Sequence, residues 1–167
     1  MAHAAAHGYP VPQVFEVGQN VLVLERIDGP TMLADLWRRP WKLGRHATTL
    51  ARLHRELHEI PALAELGEGR LLHMDLHPEN VMLSPAGPVV IDWTNARAGE
   101  PALDVAMTWV IGATSGGLPG RLFVRAFLTH FDRAEIRRSL PAAAEIRIAD
   151  PNVTANEREA VRRLVAK

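Results

Sequence analysis

The chain has 167 residues, with 19 Lys and Arg against 19 Asp and Glu, a hydrophobic fraction of 47% and no cysteine. This length suits one globular domain, and the zero net charge provides no basic field for nucleic acid or an anionic membrane. The lack of cysteine excludes disulfides, thiolate zinc sites and a cysteine nucleophile. No segment has the pattern of a signal peptide or a membrane span, so we expect a cytoplasmic protein with neither nucleic-acid nor membrane partners.

Two short apolar runs near the N-terminus predict a β-hairpin. Val14 to Val17 and Val21 to Leu24 flank Gly18-Gln19-Asn20, which is a typical turn sequence. Such a hairpin standing alone would have an unpaired edge and an apolar face. We therefore expect a homodimer contact or another partner to cover it.

Helical spacing dominates the rest of the sequence. Thr31 is a candidate cap for a short helix that runs to Trp37, and a longer helix is predicted from Trp41 to His58. Four later helices are predicted at Ala102–Gly112, Leu118–Phe131, Asp132–Ala144 and Thr154–Ala166, the last with a capping box. The fold class is therefore α+β and mainly α-helical.

Three oxygen-bearing side chains stand out in the middle of the chain. Asp75 and Asn80 flank a loop that contains proline, and Asp92 follows the second of two short predicted strands, Val81–Leu83 and Val89–Ile91. If those strands pair, Asn80 and Asp92 lie at the same end of the hairpin. Hard oxygen donors suit Mg²⁺, and Asp75 would remain free to orient or deprotonate a hydroxyl group.

The motifs around these residues resemble a known family. His73-Met74-Asp75-Leu76-His77-Pro78-Glu79-Asn80, followed by Val90-Ile91-Asp92-Trp93, is similar to the catalytic and metal loops of the aminoglycoside phosphotransferase and choline kinase-like family. The run Gly99 to Ala106 also resembles that family. Met74 is a departure, because relatives often have Gly there. The resemblance implies the C-terminal lobe of a protein-kinase-like fold, with a small catalytic-loop hairpin.

The resemblance implies roles for five residues. Asp75 matches the catalytic Asp that engages the acceptor hydroxyl. Asn80 and Asp92 match the Mg²⁺ ligands that bridge the nucleotide phosphates. His73 and Asp104 match positions that support the catalytic loop.

Upstream, Leu22 to Gly29 resembles the hinge between the two lobes. The backbone of Glu25, Arg26 and Ile27 would then bind the adenine edge of ATP, or the base of GTP. The resemblance divides the chain into a remnant of the N-terminal lobe and hinge at residues 1–29 and a kinase-like C-terminal lobe at residues 30–167.

Three parts of a complete kinase are not found in this sequence: the Gly-rich loop, the strand Lys on the phosphates and the helix Glu that holds that Lys. The only lysines are Lys42 and Lys167, and neither lies on a strand before the hinge. The implied activity is transfer of the γ-phosphoryl group of ATP to a hydroxyl of a small molecule, with weak or no turnover by this truncated chain. The alternative is a non-catalytic kinase-lobe remnant that acts as a binding or interaction module.

Other patterns have simpler interpretations. His54 and His58 have metal-ligand spacing on a helix but are expected to be packed or surface histidines. A metal-dependent hydrolase that uses His73, Asp75 and His77 would leave Asn80, Asp92 and the hinge unexplained. The late arginines are expected to form a solvated helix face; these are Arg121, Arg125, Arg133, Arg137 and Arg138.

Overall fold

Seven α-helices and three two-stranded antiparallel sheets make up the described part of the structure, a computed structural model that describes residues 1–166. The helices are α1 (Ala2–Ala6), α2 (Met32–Arg38), α3 (Leu43–His58), α4 (Pro101–Thr114), α5 (Gly117–Phe127), α6 (Arg133–Ala149) and α7 (Ala155–Val165). The strands are β1 (Val14–Val17), β2 (Leu22–Leu24), β3 (Arg70–Leu72), β4 (Val81–Ser84), β5 (Gly87–Val90) and β6 (Arg97–Gly99). They pair as β1 with β2, β3 with β6 and β4 with β5.

The predicted N-terminal hairpin is present. Val17 of β1 pairs with Leu22 of β2, and the register shifts between Val14 and Glu16. Its apolar side chains are largely solvent-exposed, with Phe15 at 60% and Val17 at 75% exposure. The hairpin therefore adds little to the core of the described residues.

The helix starts follow capping rules. Thr31 accepts a hydrogen bond from the backbone N–H of Ala34 at 3.0 Å, and Thr154 accepts one from Glu157 at 3.2 Å. Both threonines satisfy backbone donors that the first turn of a helix leaves unpaired. The prediction that helices α2 and α7 begin after these residues is confirmed.

The pair β3–β6 was not predicted from the sequence. Leu71 pairs with Ala98 in this ladder, and each strand has only three residues. A three-residue strand is too short to show an alternating pattern, and its partner lies more than twenty residues away. The ladder joins the segment before the loop of residues 73–80 to the segment that enters α4.

The core lies around α4, whose apolar residues are buried on most sides. Val105, Ala106 and Val110 have at most 1% exposure and form one buried cluster with Leu53 of α3 and Ala143 of α6. A helix that is apolar all round must be covered by neighbours, so α4 forms the centre of the helical body.

None of the helices in residues 1–166 combines the length and the apolar composition that a membrane-spanning helix needs.

Candidate active site

A fully buried carboxylate fixes the start of the loop that carries the predicted catalytic residue. Asp104 of α4 accepts hydrogen bonds from the backbone N–H groups of His73 at 3.1 Å and Met74 at 2.7 Å. Two charge-assisted bonds to consecutive backbone donors hold this turn of the chain in one orientation. Asp104 therefore anchors the backbone at His73 and Met74, and the loop-supporting role of His73 and Asp104 stays a prediction.

Met74 has a left-handed backbone conformation. Its φ of 66° is one that residues with a side chain rarely adopt, and its side chain is only 3% exposed. The hydrogen bond to Asp104 and the burial of the side chain stabilise this conformation. Glycine would adopt this backbone conformation without the steric cost that a side chain brings.

A second layer of buried polar groups holds Asp104 itself. His58 donates from Nε2 to Asp104 Oδ2 at 3.0 Å, and His54 Nδ1 lies 3.7 Å from the same oxygen. On the other side of the His54 ring, Nε2 lies 3.1 Å from the hydroxyl of Thr108, which donates to the carbonyl of Leu76 at 2.8 Å. The expectation that His54 and His58 are packed residues is confirmed, since both are buried.

Burial and hydrogen bonding set the ionisation of this cluster. Burial alone would raise the pKa of Asp104, but its contacts with His54 and His58 hold the pKa well below the usual range. Burial lowers the pKa of His54 and of His73, and nearby Asp104 opposes the shift only in part. Asp104 is therefore ionised at neutral pH and can accept the bonds from the loop.

Asp75 and Asn80 are in direct contact. Asn80 Nδ2 donates to the backbone carbonyl of Asp75 at 2.8 Å and to its carboxylate Oδ2 at 3.2 Å. His77 Nε2 lies 3.4 Å from the other carboxylate oxygen, Oδ1. These contacts orient the Asp75 side chain, which is still 21% exposed and open to a bound molecule.

Asp92 is linked to this group through the backbone. Ile91 donates its N–H to the carbonyl of Asn80 at 3.0 Å, and its own carbonyl accepts from His73 Nε2 at 3.0 Å. Asp92 has a φ of 60° and is exposed, and its Oδ1 accepts a hydrogen bond from the Thr94 hydroxyl at 2.7 Å. Asn80 therefore precedes β4 and Asp92 follows β5 at the same end of the hairpin.

The donor set at this end fits a hard divalent cation. The amide nitrogen of Asn80 is occupied by Asp75, which leaves its Oδ1 as a free oxygen donor. Asp92 offers an exposed carboxylate, with Oδ2 free of the Thr94 contact. One amide oxygen and one carboxylate, completed by phosphate and water oxygens, match the preferences of Mg²⁺.

The predicted hinge is packed closely against β4. Leu83 of β4 donates its N–H to the carbonyl of Pro30 at 2.9 Å. Gly29 has a φ of 144°, and a Cβ at this position would lie 2.1 Å from the carbonyl oxygen of Leu83. Only glycine fits this close approach of two backbones.

The backbone donors in the hinge have different surroundings. Glu25 donates its N–H to the carbonyl of Gln13 at 2.8 Å, so that donor is already used. Among residues 1–166, the N–H groups of Arg26 and Ile27 have no intramolecular partner. Of the predicted base-binding donors, those of Arg26 and Ile27 are the ones that remain available.

An apolar pocket of about 600 Å³ adjoins the catalytic loop. His77, Pro78 and Glu79 of the loop form one wall. The facing walls come from α2, α4, α5 and the start of α3; they include Leu33, Leu36, Trp37, Leu43, Ile111 and Phe123. Such a volume with few polar groups is typical of a small-molecule site.

The charged groups of this pocket are few. Arg147 lies at its edge, but its guanidinium group donates to Glu157 at 2.7 Å and is thereby largely neutralised. Glu79 is exposed and forms no ion pair with any described residue. The pocket is therefore mainly apolar, and the charged side chain that lines it without an ion pair, Glu79, is negative.

Sequence reasoning missed the roles of three residues. His77 contacts Asp75 and lines the pocket, and Thr108 and His54 support Leu76. The signal for His54 was its four-residue spacing from His58, which places both on one face of α3. No sequence signal marked Thr108, because a threonine inside an apolar helix has no distinctive pattern.

The fold is that of the C-terminal lobe of a protein-kinase-like protein. It combines a helical body with three short antiparallel strand pairs, one of which follows directly after the loop of residues 73–80. The α+β fold class predicted from the sequence is confirmed.

The comparisons with known proteins agree with this class. Residues 61–138 match the model of the phosphotransferase enzyme family, APH. An apo structure of a thermostable mutant of aminoglycoside phosphotransferase APH(4)-Ia superposes with a TM-score of 0.72 at 16% identity, covering 98% of this chain and 81% of that chain. A ternary complex of the same enzyme with ADP and hygromycin B gives a TM-score of 0.71 at 14% identity, with the same coverage. The predicted resemblance to the aminoglycoside phosphotransferase family is confirmed.

Similarity in sequence extends to curated relatives. Thiamine kinases of Salmonella paratyphi B and Salmonella newport are each 41% identical to this chain over 59 residues. The aligned segment covers 32% of this chain and 22% of each thiamine kinase. The match therefore spans about a fifth of the length of these relatives.

Proposed function

We propose that this chain is the catalytic lobe of a small-molecule kinase that transfers the γ-phosphoryl group of ATP to a hydroxyl of its acceptor. The observation that carries the proposal is the contact of Asp75 with Asn80 beside an apolar pocket, at the end of a hairpin that also presents Asp92. The family match over residues 61–138 and the thiamine kinase relatives support the same chemistry.

In this proposal Asp75 acts on the acceptor. Its carboxylate is oriented by Asn80 and His77 and accepts the proton of the acceptor hydroxyl as the oxygen bonds to the γ-phosphorus. The bond from that phosphorus to the bridging oxygen of ADP breaks, and ADP leaves. Positioning of the hydroxyl by the carboxylate is the contribution of the chain to this step.

Asn80 and Asp92 would hold Mg²⁺ through the free oxygens described above. The cation, when bound, neutralises charge on the nucleotide phosphates. Arg26 and Ile27 would offer their free N–H groups to the base, for which ATP and GTP are both candidates.

Turnover by this chain alone should be slow. Lys42, the only lysine among the described residues, pairs with Asp35 at 3.1 Å and lies on the turn before α3. A site without a cationic donor on the phosphates lacks a contribution of about 3–4 kcal/mol to the transition state, which corresponds to a rate lower by about 10²–10³.

The pocket supports a preference among acceptors. Its apolar walls favour a compact hydroxyl compound with an apolar or aromatic body, and Glu79 favours a positive charge on that body. Thiamine, named by the relatives, has these properties, whereas a polycationic aminoglycoside would leave many polar groups unpaired against apolar walls. We propose an acceptor of the first kind.

The test is phosphoryl transfer from γ-labelled ATP with Mg²⁺, using thiamine and hygromycin B as alternative acceptors. We expect slow transfer to thiamine that exceeds transfer to hygromycin B and is abolished in Asp75→Asn. Glu135→Gln, an exposed substitution on α6, is the matched control and should retain wild-type transfer.

Binding separates the proposal from its alternatives. Calorimetric titration should show that Mg²⁺-ATP binds the wild type and that Asp92→Asn weakens this binding. No binding and no transfer would favour the non-catalytic interaction module. Zinc binding without nucleotide binding would favour the hydrolase that uses His73, Asp75 and His77.

A further inference from the structure

A second cavity lies away from the catalytic loop and is lined by four arginines. It has a volume of about 700 Å³ and lies among α4, α5, α7 and the start of α6. Three of its arginines come from the group expected to form a solvated helix face, namely Arg121, Arg125 and Arg133, and Arg163 of α7 is the fourth. Arg137 and Arg138 do not line it.

The charged side chains that line this cavity are all positive. No carboxylate is among its lining residues. Arg125 and Arg133 form no ion pair or hydrogen bond with any described residue, and Arg163 reaches Glu159 only at 3.9 Å. In a chain with no net charge, gathering four guanidinium groups around one concave surface creates a local positive field.

The cavity also has apolar walls. Trp109 of α4, Val124 of α5 and Leu164 of α7 lie between the arginines. A volume of this size matches ligands of roughly nucleotide dimensions, and apolar walls favour a ligand with an organic body. Guanidinium groups bind phosphate with paired, parallel hydrogen bonds, which a lysine cannot provide.

This cavity is separate from the proposed active site. Trp109 and Ala113 of α4 line it, whereas Ile111 and Gly112 line the apolar pocket. The two cavities therefore contact different faces of the same helix, and no residue of the catalytic loop lines the second one.

From this arrangement we propose that the arginine cavity is a binding site for a small organic phosphate with two or more negative charges. Arg121, Arg125, Arg133 and Arg163 bind its charged groups, and Trp109 packs against its organic part. The site is independent of Mg²⁺ and of the residues assigned to phosphoryl transfer.

The test is calorimetric titration of inorganic tripolyphosphate into the purified chain in the presence of EDTA, which keeps metal-dependent binding at Asn80 and Asp92 silent. We expect saturable binding of one tripolyphosphate per chain. The double variant Arg125→Gln, Arg133→Gln should weaken it at least tenfold, since each removes charge-assisted hydrogen bonds.

The matched control is Arg137→Gln, Arg138→Gln, which removes the same charge from exposed positions outside the cavity. It should change the dissociation constant less than twofold. The four arginines that the two double variants replace have no side-chain partner among residues 1–166. Both double variants should therefore keep the wild-type melting temperature. Equal weakening in the two variants, or no binding by the wild type, would overturn the proposal.

Discussion

Asp104 Oδ1 accepts a 2.7 Å hydrogen bond from the backbone N–H of Met74, a buried residue held at a φ of 66°. The bond joins the core helix α4 to the residue immediately before Asp75. Asp104, which the proposal gives no contact with substrate, thus fixes the backbone from which the proposed catalytic side chain of Asp75 projects.

Asp104→Ala should be among the most damaging substitutions in the chain. It leaves the N–H groups of His73 and Met74 buried without an acceptor, and each such group costs about 1–3 kcal/mol. We expect a loss of roughly 3 kcal/mol in the free energy of unfolding by urea denaturation. Asp104→Asn, which keeps one acceptor oxygen, should lose less. Asp132→Ala, which removes only a helix cap, should lose about 1 kcal/mol; an equal loss in all three would contradict this role.

Stability should fall on mild acidification. Burial lowers the pKa of His54 and of His73 in the folded state, so below about pH 6.5 the unfolded chain binds protons that the folded chain does not. Each histidine then lowers the free energy of unfolding by up to about 1.4 kcal/mol per pH unit until its folded-state pKa is reached.

Asp104 adds to this dependence at lower pH. Its folded-state pKa is depressed, so its contribution is present above the unfolded pKa of about 4 and is lost as the pH falls through the folded value. Urea denaturation between pH 8 and pH 3 measures both effects. A free energy of unfolding that stays flat from pH 7 to pH 5 would contradict the burial of neutral His54 and His73.

Gly29→Ala should destabilise the junction of the hinge with β4. The new Cβ would lie 2.1 Å from the carbonyl oxygen of Leu83, so the two backbones must separate. Gly87→Ala is the matched control, because Gly87 has a similar φ of 134° but nothing within 4 Å of a Cβ. The positive φ destabilises both alanine variants by about 1–2 kcal/mol. We expect the free energy of unfolding of Gly29→Ala, measured by heat or urea, to fall by at least about 1 kcal/mol more. Equal losses would show that the close contact has no effect.

Trp37→Ala should weaken acceptor binding without unfolding the chain. Trp37 is 68% exposed but lines the apolar pocket, whereas Trp41 is 77% exposed and lies outside it. Loss of the ring should raise KM for the acceptor about five- to thirty-fold at little cost in kcat, since an aromatic ring that a bound acceptor covers contributes about 1–2 kcal/mol to binding. Trp41→Ala should leave KM unchanged, and a similar rise in both variants would argue against this pocket.

Local signals were sufficient to predict most elements of the fold. The predicted strands Val81–Leu83 and Val89–Ile91 correspond to β4 and β5, although the turn is shorter than expected because Ser84 and Gly87 also pair. Helix α6 runs to Ala149, five residues beyond its predicted end, because Ile146 and Ile148 in this extension pack against the core.

The geometry of the site was less predictable. The sequence motif predicts that Asp75, Asn80 and Asp92 belong to one site, and the structure shows direct contact only between the first two. The left-handed conformation of Met74 has no local sequence signal, since it is held by a long-range hydrogen bond to Asp104. The clustering of arginines from α5, α6 and α7 likewise depends on tertiary packing, which residue spacing does not encode.

The hydrogen bond from the Leu83 N–H to the Pro30 carbonyl joins strand β4 to the segment that follows the predicted hinge. Pro30 follows the hinge, and Leu83 lies three residues after Asn80 on a short, paired strand. We expect a tilt of the β1–β2 hairpin about residues 25–29 to displace β4 and with it Asn80. One backbone hydrogen bond and the short strand β4 therefore connect the proposed base-binding segment to Asn80, the proposed cation ligand.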